Sequence, residues 1–278
     1  MLRYCFVFGI CLLHFHLAAR QTFRVLGLYT GQHDRAHISF VQEANEWLAK
    51  MAVENNFIYT PSTDWDMLNT DTLRQYALVL FLDTRPEQEP QRQAFEAYMK
   101  NGGAWMGFHF AAFALTPSSY PQNWDWYHNE FLGSGQYKSN TWRPTAAFVK
   151  ASAEAHPVTA GLPHRWQTAP NEWYRWEKDL RLNPDIHIIY AIDSSSFPLG
   201  TGPKAHEIWH SGYYPVIWAN RHYRMIYCNM GHNDIDYEGG TGKELSLTFS
   251  NKTQGRFVLN AILWLAGRPK YIHPSPGD

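Results

Sequence analysis

Blocks of apolar residues alternate with amphipathic stretches through roughly the first 110 residues. Phe23-Arg24-Val25-Leu26-Gly27-Leu28-Tyr29 is a short apolar run and predicts a strand. From about Ile38 to Asn55 the apolar residues Val41, Ala44, Leu48, Met51 and Ala52 recur at helical spacing. Phe57-Ile58-Tyr59-Thr60 predicts a second strand, and Tyr76 to Leu82 is a continuous apolar run of the kind that forms a buried central strand. Pro90 to Lys100 predicts a helix with Phe95, Tyr98 and Met99 on one face. Asn101-Gly102-Gly103 stops it, and Ala104 to Phe108 predicts another buried strand. Strands alternating with helices imply a parallel sheet covered on both faces.

The rhythm breaks after that. Leu115 to Tyr214 is rich in proline, glycine and aromatic residues, with strand-like runs at Phe148-Val149 and Ile186 to Ile192. This stretch reads as a strand and loop insertion over the carboxyl edge of the sheet. Pro215 to Ala219 and Arg224 to Asn229 then predict an antiparallel pair joined by a turn near Asn220-Arg221-His222. Gln254 to Ala266 predicts a last helix, stopped by Gly267 and Pro269. No repeat or low-complexity linker interrupts residues 21–270, so they are expected to form one α/β domain, followed by a tail at 271–278.

Composition adds two constraints. The net charge of -1 gives no electrostatic reason to expect nucleic-acid binding. The 12 Trp, 16 Tyr and 16 Phe exceed what the predicted core needs, and many lie in polar, proline-rich stretches. Such residues suit concave sites for small molecules, sugars among them. Residues 1–20 have a basic start at Arg3, an apolar stretch from Tyr4 to Phe15 and a small-residue site at Leu17-Ala18-Ala19. This predicts a signal peptide, hence an exported, periplasmic or cell-surface protein with no membrane span in the mature chain. Cys5 and Cys11 fall in that leader, leaving Cys228 as a buried, inert thiol with no disulfide partner.

The chemistry concentrates at strand exits: His33, Asp34 and His37 after the first, Asp83 after the third, His109 after the fourth, His232 and Asp234 after the last. In a parallel sheet these exits share one edge, where ligands bind. Helix capping is the competing explanation for Asp34 and Asp83. Gly107-Phe108-His109-Phe110-Ala111 has the outline of a nucleophile elbow with histidine in place of serine or cysteine. Asn171-Glu172-Trp173-Tyr174 sets a carboxylate among aromatics, where desolvation favours acid/base use. Trp124-Asp125-Trp126-Tyr127-His128 reads as either a sugar-stacking platform or a packing plug. His206-Glu207-Ile208-Trp209-His210 spells the zincin signature, but Gly200, Gly202, Pro203, Gly212 and Pro215 crowd it and disfavour the helix that motif requires. No glycine-rich phosphate loop stands at a strand–helix junction.

Taken together, Gly107-Phe108-His109, Trp124 to His128, Asn171 to Tyr174 and Arg224 to His232 resemble the ThuA-like family, named for trehalose utilisation. The resemblance spans nearly the whole mature chain. It implies a class I glutamine amidotransferase-like, flavodoxin-like three-layer sandwich and a place in disaccharide metabolism. His109 stands where an amidotransferase carries its cysteine, which argues against thioester chemistry.

The resulting expectation is an exported enzyme acting on a disaccharide, glycoside or keto-sugar. His109, Glu172 and His232 are the catalytic candidates. His33, Trp126, His128, Trp173, His206, His210 and Asp234 are the substrate-binding candidates. The histidines are compatible with a divalent ion such as zinc, manganese or nickel. A non-catalytic sugar-binding module and a zinc hydrolase of unrelated substrate are the alternatives. The sequence leaves the oligomeric state open, a homo-oligomer included.

Overall fold

The computed structural model describes residues 22–32, 34–115, 124–141, 144–193, 214–232, 234–235 and 244–267. The expected signal peptide and C-terminal tail lie outside them.

In chain order, β1 (Phe23–Leu28), α1 (Arg35–Asn55), β2 (Phe57–Ser62), α2 (Thr70–Leu73), β3 (Leu78–Phe81), α3 (Glu89–Lys100) and β4 (Ala104–Phe108) form the alternating half. Then follow β5 (Tyr137–Asn140), β6 (Phe148–Ala151), β7 (Arg165–Gln167), β8 (Tyr174–Trp176), β9 (Ile186–Ile192), β10 (Tyr214–Asn220) and β11 (Arg224–Cys228). Two-residue strands at Asp234–Ile235 and Glu244–Leu245 pair antiparallel before α4 (Lys252–Leu265) closes the fold.

Nine strands share one sheet in the order β2-β1-β3-β4-β11-β10-β9-β6-β7. The first five pair in parallel and the remainder antiparallel. The order of the parallel half is the flavodoxin-like one. Strand alternation divides the core into two layers. Val25, Leu78, Leu80, Met106 and Ile226 face α1 and α4, while Leu26, Val79, Phe81, Trp105 and Tyr227 face α3 and the aromatic segment Trp124–Leu132.

The inserted region therefore does two things. Strands β6, β7 and β9 extend the sheet sideways, whereas β5 and β8 form a separate ribbon beside the parallel strands' exits. Sequence patterning read all of it as material over the edge, because short strands paired across distant segments leave little periodic signal.

Candidate functional site

The adjacency of β4 and β11 builds the site. Their parallel register sets Phe108 beside Cys228, so the next residues, His109 and Asn229, emerge side by side. Asn229 Oδ1 is 3.2 Å from His109 Nδ1, and its Nδ2 donates to the Tyr174 carbonyl at 3.3 Å. The amide orientation set by that second bond makes Oδ1 an acceptor, so His109 carries its proton on Nδ1. Its Nε2 is buried, meets no hydrogen-bond donor among the described residues and lies 3.3 Å from Glu172 Oε2.

The backbone at His109 is strained. Its φ is +38°, in the left-handed region, where a residue other than glycine costs about 1–3 kcal/mol. The Tyr227 hydroxyl fixes this turn by donating to the His109 carbonyl at 2.8 Å. Gly107 makes room for the Trp105 ring in the strand that leads to it, and Gly231 makes room for the histidine side chain itself. A Cβ at Gly107 would lie 2.0 Å from the Trp105 ring, and one at Gly231 (φ +143°) would lie 3.2 Å from His109 Cβ. The elbow outline in the sequence thus corresponds to a strained turn, with histidine at its apex.

Around His109 stand His37, His232 and Tyr174, with ring centroids 5.3, 5.3 and 3.9 Å away. His37 comes from the first turn of α1, whose N-cap is Asp34: Oδ1 accepts from the Ala36 amide at 2.8 Å. The other oxygen of Asp34, Oδ2, lies 3.5 Å from His232 Nε2. Asp34 thus caps a helix and faces the site at once. Glu172 is held by its amide bond to the His232 carbonyl and by the Asn140 side chain, which donates to Oε1. Its Oε2 is 4.0 Å from His232 Nε2. The groups form a chain, Asn229–His109–Glu172–His232–Asp34, from a fully buried floor to Asp34, whose side chain is 46% exposed.

Electrostatics separate the histidines. Burial, then the charge of His232, holds His109 well below the ordinary histidine range. Burial does the same to His37, reinforced by both other histidines. The 3.3 Å contact between His109 and Glu172 is therefore an ion pair only when His109 takes up a proton. Burial would depress His232 as well, but the hydrogen bond to Asp34 and the charges of Glu172 and Asp34 outweigh it and raise its pKa. Asp34 is correspondingly held far below the usual carboxylate range, first by that hydrogen bond. Two histidines whose proton affinities are pushed in opposite directions thus share a carboxylate.

The structure brings His109, Glu172 and His232 together. It sets three other candidates apart from them. Trp173 is fully buried, its Nε1 donating to the Thr145 carbonyl at 2.7 Å, so it is core and not a sugar platform. Trp126 stacks on Phe131 and donates to the Tyr223 hydroxyl at 3.2 Å in the aromatic layer over α3, which is packing too. His128 is buried edge-on against Tyr127 in that segment. Asp83 is not a helix cap. It accepts from the Thr30 amide and hydroxyl and the Gly31 amide at 2.7–3.0 Å, tying down the β1 exit loop. His33, His206 and His210 lie outside the described residues, as does the side chain of Asp234. Among the described residues no group of three or more His, Cys, Asp or Glu side chains is arranged to hold a metal ion. No helix among them is long and apolar enough to cross a membrane.

Three residues without an assigned role prove integral: Asn229, Asn140 and Tyr174. Asn229 had a signal, standing between an apolar strand and Gly231-His232. Asn140 had none.

Fold and site together define a flavodoxin-like α/β protein with a histidine elbow at the carboxyl edge of its sheet. The chain belongs to the ThuA family, described as trehalose utilisation, whose sequence pattern matches residues 24–265. A putative ThuA-like protein from Bacteroides uniformis is 32% identical, with a TM-score of 0.77 over 89% of this chain and 93% of that one. A second, from Parabacteroides merdae, is 17% identical, with a TM-score of 0.60 over 92% and 94%. A β-galactosidase from Bacillus circulans shares the fold at 11% identity and TM-score 0.51, covering 90% of this chain and 31% of that chain. No curated protein matches the chain.

Proposed function

We propose that this protein is a carbohydrate enzyme that acts on a disaccharide, glycoside or keto-sugar derivative by histidine acid/base chemistry. The carrying observation is that Glu172 Oε2 lies 3.3 Å from His109 Nε2 and 4.0 Å from His232 Nε2, with burial lowering the proton affinity of the first and Asp34 raising that of the second. Environments that push two neighbouring titratable groups apart assign acid and base.

In this reading Glu172 and His109 act as one base. A proton taken from substrate by Glu172 Oε2 passes to the free Nε2 lone pair of His109, whose Nδ1–H stays bonded to Asn229. His232, whose protonated form Asp34 favours, gives its Nε2 proton to the departing glycosidic oxygen or to a carbonyl oxygen gaining charge. On a keto-sugar the first step takes the proton beside the carbonyl, and the second neutralises the enolate or the leaving group. Family membership supports the choice of carbohydrate. The apolar leader supports export.

The test incubates the protein in D2O with a panel of disaccharides and their keto derivatives, followed by NMR. Turnover or deuterium incorporation beside the carbonyl is expected, falling about 10²–10⁴-fold in His109→Gln. A panel turned over equally well by that variant sinks the proposal. Elemental analysis of untagged protein for zinc, manganese and nickel separates metal-assisted from purely histidine chemistry. Binding of the panel without turnover identifies a sugar-binding module.

A further inference from the structure

Arg85, in the loop after β3, is 5% exposed. Among the described residues its one hydrogen bond runs from Nη1 to the Phe110 carbonyl at 3.4 Å, longer than a good N–H···O bond. Its Nε is buried without a partner. A guanidinium has five donors and no acceptor, and burying one without an anion is among the costliest arrangements a fold can hold. Burial pulls the pKa of this group down to about 10, so it stays charged at neutral pH. No carboxylate among the described residues forms an ion pair with it: its cation–π neighbour is the Phe110 ring, 5.9 Å from Cζ, and Tyr127, Arg92, Glu87 and Tyr174 act on it through their charges.

Arg85 lines a 230 Å³ cavity with Thr30, Gln32, Trp65, Thr84 and Glu87. Trp65 brings a second orphan donor, a buried Nε1 without a partner. The cavity adjoins the histidine site. Thr30 and Gln32 belong to the loop leading to Asp34, and Phe110 stands between Arg85 and His37, 5.3 Å from the His37 ring. Glu87 lines the same cavity and its charge favours the Arg85 cation, but it is exposed, so solvent and salt screen it and a ligand anion can compete with it. The volume falls short of a drug-sized pocket and suits a group about as large as one sugar ring.

We infer that this cavity is an oxyanion subsite: it receives a carboxylate or phosphate carried by a sugar-sized ligand, bound by the Arg85 guanidinium with Trp65 Nε1 as a second donor. The histidine site beside it then works on an acidic sugar. The inference rests on the carbohydrate reading for the sugar, and on Arg85 and its cavity for the anion.

Calorimetric titration of the full chain with glucose, glucuronate, glucose 6-phosphate, acetate and inorganic phosphate tests it. An anionic sugar is expected to bind at least about tenfold more tightly than glucose, as one charge-assisted pair provides. Preference for glucuronate identifies a carboxylate site, preference for glucose 6-phosphate a phosphate site. Arg85→Met should abolish the preference while keeping or raising the Tm, because it removes an unpaired buried charge. Equal binding of all three sugars by the wild type overturns the inference, whatever the variant does. So does an anion preference that survives in Arg85→Met. His109→Gln should keep the preference in full, so failure of the acid/base reading and failure of this one are distinguishable.

Discussion

Replacing Asn229 with leucine tests whether one buried amide sets the state of the site. The side chain is fully buried, and leucine matches its shape without its polar atoms. Asn229 accepts from His109 Nδ1 at 3.2 Å and from the Tyr227 hydroxyl at 3.4 Å, and donates to the Tyr174 carbonyl at 3.3 Å. The Tyr227 hydroxyl keeps its 2.8 Å bond to the His109 carbonyl, so it is not orphaned. The other two lose this partner. Each buried polar group left unpaired costs about 1–3 kcal/mol, and partial relaxation brings the pair to roughly 2–4 kcal/mol. Urea denaturation at pH 7 should show that loss with an unchanged m-value. With its Nδ1 anchor gone, His109 should also populate both tautomers, and turnover should fall beyond any change in the folded fraction. A loss under about 0.5 kcal/mol, or wild-type turnover per folded molecule, refutes the reasoning.

Two further substitutions follow from the same groups. Asp34→Asn keeps a good N-cap on α1 and removes the charge facing His232, so stability should change by less than about 0.5 kcal/mol. The half-exposed position of Asp34 limits the effect, but its direction is fixed: His232 should lose its proton at lower pH, and the alkaline limb of the pH–rate profile should move acidward. His156 caps a 3₁₀ turn through Nδ1, and burial, then the charge of His187, lowers its pKa to about 4. Below its unfolded value of 6.5 the unfolded chain takes up a proton that the folded chain refuses, so stability falls from there to about pH 4. His156→Asn retains a cap and should flatten that part of the acid limb, by at most about 1.4 kcal/mol per pH unit. His37 and His109 contribute with the same sign. His232 opposes them, its stabilisation being lost as pH rises through its elevated pKa.

Much of the parallel half could be read from local pattern. Continuous apolar runs such as Leu78–Phe81 and Ala104–Phe108 are the signature of strands buried on both faces, and their polar exits converge on one edge. The neighbour of β4 could not be read, because β11 lies more than a hundred residues away, and only that pairing sets His109 against Asn229. Helix α1 begins at Arg35, three residues before the apolar periodicity does, because Asp34 caps it. This carries His37, which the sequence reading set at the first strand's exit with His33 and Asp34, into the site. The aromatic motifs misled for a different reason. Trp126 and Trp173 lie in polar, proline-rich sequence, yet the inserted segment folds back, burying Trp173 and packing the half-buried Trp126 against the core, which residue type alone does not distinguish from a binding platform.

Ring-nitrogen NMR of the wild-type histidines at pH 7 addresses the proposed acid/base pair most directly, since it needs no substrate. His109 is expected as a neutral ring protonated on Nδ1 alone, and His232 as a cation protonated on both nitrogens. A cationic His109, or a neutral His232, would contradict the assignment of base and acid on which the proposed chemistry stands.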